Sequence, residues 1–124
     1  NYKMCGISGY FLKDQFSIDS IHKMIKAQIH RGPDFSDFWT NNLNLVLGHN
    51  RLSIQDLSNN ANQPMVSANK NVIVFNGEIY NHRDLKATLK TRYEFQTQSD
   101  CEIILALYKE KGIDFNKLYN EKFN

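Results

Sequence analysis

Hydrophobic and polar positions follow two rhythms along this 124-residue chain. Residues 5–12, CGISGYFL, form an apolar, aromatic run with two glycines, which predicts a buried strand that bends or admits another backbone. Across residues 17–30 the spacing changes: Ile21, Met24, Ile25 and Ile29 recur at intervals of three and four. That pattern predicts an amphipathic helix whose stripe packs into a core, with Ser17 or Asp19 as its cap and Gly32-Pro33 as its stop. A strand-rich middle follows. SDFWT and LNLVLGH flank the turn-prone pair Asn41-Asn42 and predict a hairpin. RLSIQDL (51–57) continues the extended pattern, SNNANQP (58–64) reads as a polar connection, and NVIVFNGEI (71–79) reads as a dense β-branched strand ending at Asn76-Gly77. YNHRDLKATLK (80–90) then reads as a short helix with Leu85 and Leu89 on one face, and YEFQT (93–97) as a further short strand. Ser99-Asp100-Cys101-Glu102 has the spacing of a capping box, with Ser99 as N-cap and Glu102 three residues on. Behind it Ile103, Ile104, Leu107 and Tyr108 carry an apolar helical face that Gly112 ends. Residues 113–124 are weakly helical. No repeat, low-complexity tract or linker interrupts the chain, so the fold class is α+β in one domain.

Composition narrows the function classes. With 41% hydrophobic and 23% charged residues the chain reads as globular, and its length suffices for a real core but not for a large two-domain enzyme. A formal charge of +2, with both signs interspersed, gives no reason to expect nucleic acid or an anionic membrane as partner. No apolar stretch is long enough to span a bilayer, and the opening NYKMCGISGYFLKD is too polar for a signal peptide; the expected location is the cytoplasm. In that reducing setting Cys5 and Cys101 are expected as free thiols. His22, His30, His49 and His82 form no short metal-binding cluster, so no metal is expected.

Chemistry is suggested by motifs in order: MCGI at 4–7, RGPD at 31–34, GHNRLSI at 48–54, FNGEIYNH at 75–82 and SDCE at 99–102. Singly each is weak. An Asn-Gly pair is usually a tight turn, and an aspartate before a helix is usually a cap. Together they resemble the N-terminal glutaminase domain of the asparagine synthetase family, the class II glutamine amidotransferases with an N-terminal nucleophile. RGPD with RLSI and NGEIYNH points to the asparagine synthetase branch, and the resemblance runs from Met4 to about Leu118.

The resemblance implies an αββα sandwich of two antiparallel sheets. It also implies hydrolysis of glutamine to glutamate and ammonia through a cysteine thioester, the hydrolase half of a ligase serving asparagine biosynthesis. Attack on an amide needs a thiolate and a protonated leaving group. In the family both come from one residue: the terminal cysteine, here Cys5, supplies the sulfur, and its own α-amine acts as base. An α-amine titrates near ~8 and a thiol near ~8.5, close enough to exchange a proton at neutral pH. By resemblance, the Asn76 side-chain amide and the Gly77 N–H form the oxyanion hole, where one donor is typically worth roughly 3 kcal/mol. Arg51 would bind the glutamine α-carboxylate with its planar fork. Asp100, with Glu78 nearby, would bind the α-ammonium, and the backbone of Leu52, Ser53, Ile54 and Gln55 would line the pocket. Arg31 and Asp34 are expected to hold the turn beside the nucleophile. Cys101 should pack in its helix, and His49 and His82 are given no catalytic role.

Two departures shape the expectation. Residues 1–4 read as an N-terminal extension or propeptide, because Cys5 inside a peptide bond has no α-amine; 5–124 read as a partial amidotransferase domain. The later strands of the family pattern are missing, which would expose sheet edges and favour self-association. No pyrophosphate-binding loop of the SGG type is present, so ATP and Mg would be needed only by an absent synthetase domain, the expected receiver of ammonia. The second hypothesis is a non-catalytic remnant of such a domain that acts in binding or assembly.

Overall fold

Alternation in the first half of the chain builds a three-stranded antiparallel sheet. The structure is a computed structural model and describes residues 4–12 and 17–114. Strand β1 (Gly6–Phe11) is followed by helix α1 (Ile18–Ala27) and the hairpin of β2 (Phe35–Thr40) and β3 (Leu45–Arg51), in the sheet order β1-β3-β2. The expected turn closes the hairpin. Asn42 takes a left-handed φ of 60°, and the Asn41 side-chain oxygen accepts the N–H groups of Leu43, Asn44 and Leu45, each at 3.0 Å. Asparagine suits both tasks, since it tolerates the left-handed region and bonds nearby backbone. Of the two candidate caps for α1, Ser17 serves: its Oγ accepts the Ser20 N–H. Ile21 is fully buried against the sheet, and Gly48 lets it sit close, because a Cβ there would lie 2.9 Å from Ile21 Cδ1. Ile29 falls beyond the helix end and is exposed.

Register decides what the sheet can position. Gly6 lies opposite Asn50 on one side of β3, and Phe35 lies opposite Arg51 on the other. Cys5 entering β1, Asp34 entering β2 and Leu52 leaving β3 therefore meet at one end of the sheet.

The second half is helical. A two-residue ladder joins β4 (Met65–Val66) to β5 (Val72–Ile73), and helices α2 (His82–Leu89) and α3 (Cys101–Lys111) follow. Ile79, Leu85, Leu89, Ile103, Ala106 and Leu107 make one buried cluster, with Phe75, Tyr93, Phe95 and Ile104 packed against it. Gly112, at φ 58°, ends α3 and donates its N–H to the Tyr108 carbonyl. The class is α+β, as expected.

Four elements differ from the sequence reading. Residues 52–58 are not extended, and the polar connection after them contains a short 3-10 turn, Asn59–Ala61. The strand read over 71–79 stops at Ile73. Residues 93–97 form no strand: the Gln96 and Thr97 N–H groups donate to Glu102, and the Thr97 carbonyl accepts from Lys86 Nζ at 2.8 Å. With those groups taken by side chains of the two helices, no ladder partner is needed. The same Glu102 is not the reciprocal arm of a capping box. It is buried, reaches back to residues 96 and 97, and also accepts the Thr97 hydroxyl at 2.7 Å, while Ser99 Oγ accepts the Cys101 N–H. Gly112–Asp114 form a 3-10 turn, and the rest of the weakly helical tail lies outside the described residues. No helix among the described residues is long and apolar enough to cross a membrane.

Candidate active site

The meeting of strand ends places the Cys5 sulfur against the chain leaving β3. Its Sγ accepts the Leu52 N–H at 3.3 Å, and its thiol lies 3.7 Å from the Leu52 carbonyl. Arg31 Nε donates to the Cys5 carbonyl at 3.2 Å. Asp34 closes the other side: its N–H donates to the Arg51 carbonyl at 3.0 Å, and its Oδ2 accepts the Ser53 N–H at 2.7 Å. Arg31 and Asp34 thus hold the turn beside the thiol, as the sequence suggested.

Arg51 ends β3 and is buried. Its Nη1 donates to the Ser58 carbonyl at 2.8 Å and to Asn62 Oδ1 at 2.6 Å, and its Nη2 donates to the Asp56 carbonyl. Residues 52–62 are wrapped around the guanidinium, which is why they do not run on as a strand. A guanidinium carries five N–H donors. Among the described residues, the Nε–H and one Nη2–H of Arg51 take no protein acceptor.

Asp56 joins this loop to the opposite wall. Its Oδ1 accepts the Ser58 N–H and its Oδ2 the Gln98 N–H, both at 2.8 Å. The bonds from Ser58, then that from Gln98 and the charge of Arg51, hold its carboxyl below the usual range. Two residues after Gln98 stands Asp100, buried, with Oδ2 accepting the Ile79 N–H at 2.8 Å; its Oδ1 accepts no hydrogen bond among the described residues.

These walls enclose a pocket of about 80 Å³. It brings together Cys5, Arg51, Leu52, Ile54, Gln55, Gly77, Glu78 and Asp100 from the sequence-named residues. Ser53 and Asn76 do not line it, although both have lining neighbours. Sequence reasoning missed Asp56, Ala61, Gln63, Phe75 and Ser99, which also line it. Ser99 reads only as a cap and Phe75 only as the start of the FNGEIYNH motif; Asp56, Ala61 and Gln63 carry no signal, since their places depend on how the 52–64 loop wraps Arg51. Both cysteines are free thiols. Cys101 is buried, and burial first, then the nearby Asp100 and Glu102 carboxylates, pushes its thiol up, so it stays protonated and inert. Among the described residues no group of His, Cys, Asp or Glu could hold a metal ion.

His49, on β3, is fully buried. Burial, reinforced by the Arg51 charge, lowers its pKa from 6.5 to about 4. Between those values the unfolded chain binds a proton that the folded one refuses, so stability rises with pH across this window and is fully present above 6.5. We expect unfolding in urea to show a loss of roughly 3 kcal/mol on acidification from pH 7.5 to pH 4. A His49→Leu variant should show a flattened dependence over the same range; an equally steep one would assign the effect elsewhere. Asp56, depressed instead, stabilises above the ordinary carboxylate range and loses its contribution only at lower pH.

A thiol at a strand end, a half-free buried guanidinium and a buried carboxylate thus meet around one pocket. A sequence model described as "Glutamine amidotransferase domain" matches residues 4–124. The chain belongs to the glutamine amidotransferase domain family. It is 45% identical over 119 residues to "Asparagine synthetase B [glutamine-hydrolyzing]" of Escherichia coli (strain K12), covering 90% of this chain and 21% of that protein. It is 41% identical over 125 residues to "Asparagine synthetase [glutamine-hydrolyzing]" of Zea mays, covering 98% of this chain and 21% of that protein. "Amidase chry2" of Gibberella zeae is 36% identical over 126 residues. The chain spans about a fifth of the length of these curated relatives.

Proposed function

We propose that this domain hydrolyses glutamine to glutamate and ammonia at Cys5 and passes the ammonia to an asparagine synthetase-like domain or chain. The observation that carries this reading is the shared pocket: Cys5, Arg51, Gly77 and Asp100, far apart in sequence, line one small cavity. The Nε and Nη2 donors of Arg51 left open by its own loop take the α-carboxylate. The open Oδ1 of Asp100, aided by Glu78, takes the α-ammonium, and Leu52, Ile54 and Gln55 bound the side chain between them, with Ser53 behind. The side-chain amide of glutamine is then directed at Cys5.

Once the Met4–Cys5 peptide bond is cut, the α-amine of Cys5 takes the thiol proton. The thiolate attacks the amide carbon, and the charge on oxygen is met by the Gly77 N–H and the Asn76 amide. The C–N bond breaks as the α-ammonium returns its proton to the nitrogen, and ammonia leaves a thioester. Water, deprotonated by the same amine, attacks the thioester; the C–S bond breaks, and glutamate and the free thiol result. Within this reading the sheets belong to an αββα sandwich, the setting is cytoplasmic, and ATP and Mg serve only the synthetase domain. Residues 1–4 act as a removable extension of the 5–124 domain, and copies associate through open sheet edges.

Intact mass and labelling test the proposal. Loss of residues 1–4, ammonia release from glutamine, and covalent capture of a glutamine-analogue electrophile at Cys5 but not Cys101 are the expected results. Retention of residues 1–4 with no ammonia release would favour a non-catalytic remnant that binds or assembles.

Gly77 offers a sharper prediction. A Cβ there would lie 2.9 Å from Phe75 Cζ and 3.1 Å from Cε2, and that ring is packed against the main cluster. Gly77→Ala must displace the ring or the Gly77 amide. We expect a loss of about 1–3 kcal/mol in stability and a kcat for glutamine hydrolysis lowered roughly 10- to 100-fold. Denaturant unfolding and steady-state kinetics read the two effects; an unchanged kcat would remove the Gly77 amide from the reaction.

A further inference from the structure

The segment that carries Asn76 and Gly77 is not held by a sheet. Strand β5 ends at Ile73, and the next residues have no ladder partner among the described residues. Two side chains take the place of a neighbouring strand at Phe75. Its N–H donates to Gln63 Oε1 at 2.6 Å, and its carbonyl lies 3.2 Å from His49 Nε2. That carbonyl belongs to the peptide linking Phe75 to Asn76, so whatever fixes it fixes the plane from which the next two residues project.

His49 has one use in this position. It is fully buried on the central strand of the sheet, where an aliphatic side chain would meet the demands of packing better. Its Nδ1 is buried and has no hydrogen-bond partner among the described residues. A neutral ring has one N–H, and a carbonyl can only accept, so the proton sits on Nε2 and the donor is given to Phe75. Burial, which favours the uncharged ring, keeps that arrangement through the neutral range. A residue with an orphaned nitrogen on one side and a single directed donor on the other is a connection between β3, where Arg51 stands two residues on, and the 75–77 segment.

We propose that His49 is a positioning residue for glutamine hydrolysis, its Nε2–H holding the Phe75 carbonyl so that Asn76 and Gly77 face the oxygen of the reacting amide. The proposal rests on the glutaminase reading given above. Its sign is specific: the donor matters to the transition state, where charge reaches that oxygen, and little to ground-state glutamine, which Arg51 and Asp100 anchor.

The test compares His49→Leu, which lacks the donor, with His49→Gln, whose side-chain amide restores one at similar reach. For His49→Leu we expect kcat for glutamine to fall roughly 10- to 100-fold with KM within about twofold. Alkylation of Cys5 by iodoacetamide, which builds no oxyanion, should stay within about twofold of the parent. His49→Gln should recover most of the lost kcat. An unchanged kcat in His49→Leu overturns the proposal, as does a loss shared equally by kcat, alkylation and melting temperature in both variants. Amide resonances of Asn76 and Gly77 separate this outcome from failure of the glutaminase reading. If the parent releases no ammonia, that reading falls, and the positioning claim still requires those two resonances to shift in His49→Leu and return in His49→Gln. Resonances that do not move overturn it.

Discussion

Replacing Cys5 with alanine should abolish ammonia release from glutamine while leaving glutamine binding within about threefold of the parent. In the proposed reaction the sulfur is the atom that forms the new bond, and no other nucleophile among the pocket-lining side chains stands in its place; Ser99 lines the pocket, but its Oγ accepts the Cys101 N–H at the start of α3. Removing the nucleophile of a covalent hydrolase has cost on the order of 10⁶ in kcat, so a fall of at least about 10³-fold is expected once background hydrolysis limits the assay. Cys5→Ser should do little better, because an amine titrating near ~8 cannot appreciably ionise an alcohol. The packing cost is small: Cys5 is only partly buried, and among the described residues its sulfur bonds only Leu52. A glutamate-release assay with calorimetric titration of glutamine decides it. Retained turnover in the alanine variant would end the proposal, and loss of binding would show that Cys5 shapes the pocket as well as reacting in it.

The elements that the hydrophobic pattern made legible are those whose backbone groups pair among themselves. The α1 stripe, the Asn41-Asn42 hairpin and the Leu85/Leu89 face followed from periodicity and turn chemistry, because helix and ladder bonds need only suitable side-chain spacing. The errors share one cause. At 52–58, at 74–76 and at 93–97 a run with strand-like composition has its backbone taken by side chains instead of a neighbouring strand: Arg51 and Asp56 in the first, Gln63 and His49 in the second, Glu102 and Lys86 in the third. Periodicity carries no record of such bonds. The pocket divides in the same way. Cys5, Arg51, Gly77 and Asp100 stood in recognisable motifs, whereas Asp56 lies in a stretch read as extended and Gln63 in a polar connection, and both enter the pocket only because the loop closes on a guanidinium. Glu102 shows the limit of a local rule, since its spacing from Ser99 fitted a capping box and its carboxylate went to Gln96 and Thr97.

Arg51 holds its own loop and, in the proposed reaction, the substrate, so its loss should register in both. Arg51→Met keeps length and apolar bulk but withdraws the donors that serve Asp56, Ser58 and Asn62. Hydrogen bonds to a charged group contribute about 1.5–3 kcal/mol each, and acceptors left buried carry a penalty, so a loss of roughly 3 kcal/mol or more is expected in urea unfolding. The KM for glutamine should rise about 100-fold, the worth of roughly 3 kcal/mol of bidentate recognition. Unfolding alone would also reduce activity, so discrimination is the better readout. The parent should strongly prefer glutamine to an analogue whose α-carboxylate is amidated, because only the free carboxylate accepts both Nε–H and Nη2–H. In Arg51→Met the preference should fall to within a few fold, with the analogue's own kcat/KM nearly unchanged per folded molecule. Arg51→Lys restores charge without the planar fork and should recover part of the affinity but little of the loop's stability. A Met variant that still prefers the free carboxylate would place the anchor elsewhere and leave Arg51 as the post around which residues 52–62 fold.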